Sequence, residues 1–206
     1  MKDISDLVDR FGRPYSEELG IDLDSGKEDE VFKWFLVSIL YGKRVEEDVI
    51  TNTYRGFEKK EVLTPRAILD TGWRKLVIIL DAGGYTRYDF NAADNLIKIS
   101  GELLSGCGSL TALHKKALDS KDLERRLLEF RGVKPATTGF FLREMRHVWT
   151  KADPEISPYA ELAAEKLKIN LKKLDRHTKD FVRLECALLR IGKNYIRRNK
   201  PIPVGI

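Results

Sequence analysis

The residues best suited to chemistry cluster between Leu123 and Asp153. Leu123, Leu127, Leu128 and Phe130 form one apolar face, and Arg131-Gly132-Val133-Lys134-Pro135 is a tight turn. From Ala136 the chain becomes helical again through Phe140, Phe141, Met145 and Trp149. Two helices joined by a glycine-containing turn aim unpaired backbone N–H groups at one point, and the second helix adds the positive end of its dipole. A phosphate suits that point. Gly132 and Val133 let the backbone approach it, Lys134 adds a charge, and the Thr137 and Thr138 hydroxyls are placed to donate. Contacts of this kind position a nucleic acid without reading its bases. The same pattern also describes an ordinary helical hairpin whose glycine is only a cap.

Other reactive side chains carry less. Cys107 and Cys186 stand far apart with no second thiol at ligand spacing, and His114, His147 and His177 show no metal spacing. No zinc or iron–sulfur site is expected, and no disulfide. Asp153, before Pro154, reads on local sequence as a turn or cap aspartate.

Charge is distributed unevenly. The 206 residues carry a formal charge of +5. Residues 1–30 hold four Lys or Arg against ten Asp or Glu, net −6, whereas residues 166–200 hold twelve against three, net +9. The basic stretch would attract a polyanion in a salt-sensitive way, or else balance the acidic end as a solvated face. With 42% hydrophobic and 33% charged residues the chain is in the globular range. No apolar run reaches the roughly 18–20 residues that a bilayer demands, and Met1-Lys2-Asp3 opens an acidic segment, so a soluble, cytoplasmic protein is expected.

The elements that position these residues read as helices throughout, because nothing alternates at period two for long enough to form a sheet. Val31 to Tyr41 is apolar almost all round and is expected as the central buried helix, with the net-acidic Lys27-Glu28-Asp29-Glu30 suiting its N-terminus. Val45 to Phe57 is amphipathic. Thr64-Pro65 opens a short helix that Gly72 ends, and Trp73 to Leu80 follows. Gly83-Gly84 breaks the chain before the aromatic and basic Tyr85-Thr86-Arg87-Tyr88, and a helix runs from Asn91 to Leu104. Ser120 caps Lys121 to Phe130, Ser157-Pro158 opens a helix to about Lys168, and a last helix spans about Asp175 to Arg198. The chain is expected to be all-α.

The segment Leu128-Glu129-Phe130-Arg131-Gly132-Val133-Lys134-Pro135-Ala136-Thr137-Thr138-Gly139-Phe140-Phe141-Leu142, followed by Asp153, resembles the helix-hairpin-helix, Gly/Pro-rich-loop and aspartate signature of the endonuclease III-like DNA glycosylase superfamily. Asp153 falls seventeen residues after Ala136, at the family's spacing for its essential aspartate. The resemblance covers about residues 27–168 and implies a two-lobed all-α fold with a DNA cleft between lobes. One lobe would be residues 27–138; residues 1–26 with 139–206 would be the other.

It further implies excision of a damaged or mismatched base flipped from double-stranded DNA, with Asp153 as the catalytic carboxylate and a leaning toward deaminated or mismatched bases. Tyr85, with Arg87 on a phosphate, would fill the gap in the stack. Lys43 and Arg44, in the turn after the central helix, would touch the duplex, and Trp34, Tyr41 and Trp149 would line a base pocket. Ala136 stands where bifunctional members carry a nucleophilic lysine, so monofunctional hydrolysis without strong strand cleavage is expected; Lys134 as a displaced nucleophile is the alternative. A non-catalytic helix-hairpin-helix DNA-binding protein is another. No cofactor is implied beyond a monovalent cation at the hairpin. The resemblance implies a monomer, prokaryotic and nucleoid-associated.

Overall fold

The protein is described by a computed structural model covering residues 2–43 and 45–202. Helices α1 (Lys2–Phe11), α2 (Tyr15–Glu18), α3 (Glu28–Tyr41), α4 (Glu47–Lys59), α5 (Pro65–Ala82), α6 (Asp89–Ser105), α7 (Leu110–Lys116), α8 (Ser120–Glu129), α9 (Pro135–Met145), α10 (Pro158–Lys166) and α11 (Lys179–Ile191) follow in order. The described residues contain no β-strand. The chain divides into two compact units, residues 21–141 and residues 1–20 with 142–206.

In the unit of residues 21–141, α3 is buried along most of its length, with Val31, Trp34, Phe35, Leu36, Val37 and Leu40 fully covered. A helix apolar on all faces can satisfy its backbone internally and offers every side to packing neighbours. Truncating one of its large side chains to alanine costs about 2–5 kcal/mol. The acidic residues of its first turn do more than face a dipole: the Glu28 carboxylate accepts from the N–H groups of Leu110 and Thr111 at 2.8 and 3.0 Å, and so caps α7. Thr64 caps α5 by accepting from the Ala67 N–H. At Gly72 the backbone leaves the helix with φ +74°, which a glycine adopts without the Cβ penalty, so α5 is two helical runs, 65–71 and 73–82.

Several boundaries differ from the sequence reading, the last α-helix beginning at Lys179 and not at Asp175 among them. Asp119, not Ser120, caps α8, because its carboxylate reaches the Asp122 N–H while Ser120 is already helical. α9 stops at Met145 and not at Trp149; the Val148 and Trp149 N–H groups both turn back to the Met145 carbonyl. The last α-helix ends at Ile191 and continues as a five-residue π-helical turn, Gly192–Ile196.

The other unit holds its N-terminal segment through buried charge. Glu144, with no exposed surface, accepts from the Tyr15 and Ser16 N–H groups at 3.0 and 2.9 Å. The Arg190 guanidinium lies 4.0 Å from the Tyr15 ring centroid and donates to the carbonyls of Phe11 and Arg13 and to the Glu18 carboxylate. Leu7 joins Leu184, Leu188 and Ile191 of α11 and Ala160, Ala163 and Ala164 of α10 in one apolar cluster.

Candidate functional site

The turn between α8 and α9 is a true hairpin. Gly132 adopts φ +85°, and a Cβ there would stand 2.3 Å from the Asn95 amide nitrogen. The left-handed backbone is what requires glycine, since the Asn95 side-chain amide reaching over from α6 can move aside. Arg131, Gly132, Lys134, Pro135 and Ala136 are exposed, so the turn presents two cationic side chains and the start of α9 to solvent.

Three hairpin residues take other roles. The Val133 side chain is buried and its N–H donates to the Phe130 carbonyl, so that amide is not offered outward. Thr137 and Thr138, expected as phosphate donors, are buried, at 2% and 3% exposed. Thr137 fills the space beside Gly42 at the end of α3, where an added Cβ would meet its hydroxyl at 2.3 Å. The Thr138 hydroxyl has no hydrogen-bond partner among the described residues.

The loop after α5 also departs from expectation. Tyr85 is 2% exposed and its hydroxyl donates to the Leu40 carbonyl at 2.9 Å. Burial pushes its phenol well above the ordinary tyrosine range. A side chain held this way belongs to the core and not to a duplex-entering wedge. Tyr88 takes the surface position instead, half-buried, with Lys43 Nζ 5.7 Å and the Arg87 guanidinium 5.5 Å from its ring centroid. Arg87 and Lys43 are thus gathered on one aromatic ring. Arg44 lies outside the described residues.

Of the three aromatic pocket candidates, Trp34 and Trp149 are buried in the core, and the Trp34 indole donates to the Phe141 carbonyl at 3.0 Å. Tyr41 is half-buried and stacks on Phe140, with centroids 4.1 Å apart and planes 22° apart. Phe140 also packs on Trp34 at 5.1 Å. Phe140 was not singled out from sequence, although its place five residues beyond Pro135 puts it on a face next to the buried Phe141.

Asp153 lies in the extended segment between the turn after α9 and α10, and its side chain is 34% exposed. Two arginines converge on one of its oxygens. Arg146 Nη1 donates to Oδ1, and Arg176 Nε stands 2.9 Å from the same atom. Both guanidinium groups also donate through Nη2 to the Pro154 carbonyl.

Arg146 is 0% exposed and its Nε donates to Glu185 Oε2 at 3.1 Å. Burial pulls this guanidinium below its ordinary value, and Glu185 and Asp153 act in the opposite direction. Such a buried cation is tolerable only when paired and hydrogen-bonded, as here. The Arg146 carbonyl in turn accepts from His177 Nδ1 at 2.9 Å; a carbonyl cannot donate, so Nδ1 carries the hydrogen. The arrangement gives a carboxylate one-third exposed, with one oxygen locked to the interior. Neither arginine was found from the sequence. Arg146 stands among Arg143, Glu144 and His147, so no local pattern marks it as the buried partner of Asp153.

No family model matches the chain, and no curated protein matches it. Among solved structures it is similar to the 3-methyladenine DNA glycosylase MagIII of H. pylori, bound to 1,N6-ethenoadenine, with a TM-score of 0.54 at 14% identity. The similarity covers 83% of this chain and 86% of that one. At that identity the likeness is one of fold: this chain has the helical helix-hairpin-helix glycosylase fold.

Proposed function

We propose that this chain is a monofunctional DNA glycosylase that hydrolyses the N-glycosidic bond of a damaged or mismatched base extruded from double-stranded DNA. The observation that carries the reading is an Asp153 carboxylate one-third exposed and held on one oxygen by two arginines, in a chain with the fold of a solved glycosylase. The exposed hairpin, with Arg131 and Lys134 beside the start of α9, supports backbone binding of the same substrate.

Breaking a glycosidic bond builds positive charge on the sugar, and a nearby carboxylate stabilises that charge and orients the attacking water. At about 4 Å and an effective dielectric near 20, opposite unit charges interact by roughly 4 kcal/mol, the scale of a thousandfold rate change. The arginines hold Oδ1, and Oδ2 is the oxygen assigned to the sugar and water. Extrusion of the base costs a few kcal/mol. Ala136 supplies no amine where bifunctional members carry a lysine, which supports hydrolysis without a covalent sugar adduct.

One observation favours a second reading. Two arginines on a single carboxylate also describe a structural ion pair, and a hairpin protein that binds DNA without catalysis would need no more. A panel of duplexes separates the two, each carrying one lesion and including 3-methyladenine, 1,N6-ethenoadenine, and deaminated and mismatched pyrimidines. Alkali-revealed cleavage of at least one supports the glycosylase; duplex binding with cleavage of none supports the second reading.

A further inference from the structure

The two arginines on Asp153 are not equivalent, and the difference assigns one of them a second partner. Arg146 has no exposed surface and is fixed by Glu185, Asp153 and the Pro154 carbonyl together. It is enough to hold the Asp153-Pro154 segment. Arg176 repeats two of those contacts from the outside, with its side chain 31% exposed. Its Nε is near Oδ1 without being aligned as a hydrogen-bond donor, so the contact is ionic only. A duplicated, solvent-facing cation is an expensive redundancy for a purely structural role, because a long side chain must be ordered to gain little in high dielectric.

We infer that Arg176 is a substrate-binding residue that engages the DNA phosphate adjoining the extruded nucleotide. The inference rests on the proposed role of Asp153. If that carboxylate faces the reacting sugar, a guanidinium already in contact with it lies beside the backbone, because each sugar is joined directly to phosphates. Guanidinium geometry suits this exchange: the planar fork can keep Nε toward Oδ1 while an Nη group turns to a phosphate oxygen. Arg176 also lies in a cationic run with exposed Lys172, Lys173 and Lys179 nearby in sequence, which raises the local potential for a polyanion. Bringing the phosphate to Arg176 draws its charge from Asp153, so the carboxylate is least compensated when a nucleotide is present.

The test is a double-mutant cycle on a duplex containing a tetrahydrofuran abasic analogue, with either adjoining phosphate replaced by a neutral methylphosphonate. Removing one of those charges is expected to weaken binding by wild-type protein about tenfold, some 1.4 kcal/mol. The same replacement should weaken Arg176→Gln less than about twofold. Arg176→Lys, which keeps the charge, should restore most of the coupling. Equal losses in wild type and Arg176→Gln at both phosphates overturn the inference while leaving the glycosylase reading intact. Failure of wild-type protein to prefer the abasic duplex over undamaged DNA overturns that reading and this inference together.

Discussion

The Arg146 guanidinium, fully enclosed, donates through Nη1 to Oδ1 of Asp153, whose carboxylate is one-third exposed. The contact runs from the interior to the surface and ties a candidate reacting group to the core. It also links two stability problems. Arg146 needs its carboxylates to be tolerable where it lies, and Asp153 needs Arg146 to keep one orientation.

Arg146→Met is therefore expected to destabilise the protein by about 3–5 kcal/mol, since it leaves Glu185 buried and unpaired. Thermal unfolding should fall by roughly 6–20 °C for a chain of this size. Adding Glu185→Leu to the same chain should recover much of the loss, because an uncharged pair no longer strands a carboxylate. A double variant no more stable than the single one would show that the buried charge is not the cause.

Gly132→Ala should cost about 1–3 kcal/mol through the left-handed backbone alone, with a steric contribution from Asn95 added. The companion variant Asn95→Ala, combined with Gly132→Ala, should remove only the steric part. Chemical denaturation measures both. Duplex affinity should fall in the single variant because the turn that carries Arg131 and Lys134 is distorted.

Tyr85→Phe separates a core tyrosine from a wedge. Loss of the hydrogen bond to the Leu40 carbonyl should cost about 1 kcal/mol of stability. Affinity for a duplex containing an abasic analogue should be unchanged. A large drop in affinity without loss of stability would return Tyr85 to the DNA.

Alkali should unfold the unit of residues 21–141. Burial holds the phenols of Tyr54 and Tyr85 above their ordinary value of 10.0. Below about pH 10 both states keep these protons and stability is unaffected. Above it the unfolded chain releases them while the folded chain retains them, so stability falls as pH rises. Tyr85→Phe should make that decline shallower by about one proton, as read from unfolding free energies between pH 9 and 11.

What the sequence made legible was local. α3 is visible because nearly every residue is apolar, the break at Gly72 and the Thr64 and Ser157 caps because each is set by one or two neighbouring residues, and the hairpin because Gly132 lies between two amphipathic runs. The parts that were missed depend on distant partners. Glu185 lies 39 residues from Arg146, and no local pattern links them. Thr137 looks like a first-turn donor until Gly42 at the end of α3 is seen beside it, and Tyr85 looks exposed beside two glycines until its hydroxyl is seen to meet Leu40. Asp153 was marked by its spacing from the hairpin, yet its arginine partners could be seen only once the chain was folded.

The most direct test of Asp153 compares Asp153→Asn with wild type under single turnover, on the duplex whose base the wild type releases fastest. Binding to the tetrahydrofuran duplex is measured in parallel. The expected result is base release slowed by about a thousandfold, roughly 4 kcal/mol, with affinity changed less than about threefold. Release by Asp153→Asn at the wild-type rate would contradict the assignment of this carboxylate to the chemistry.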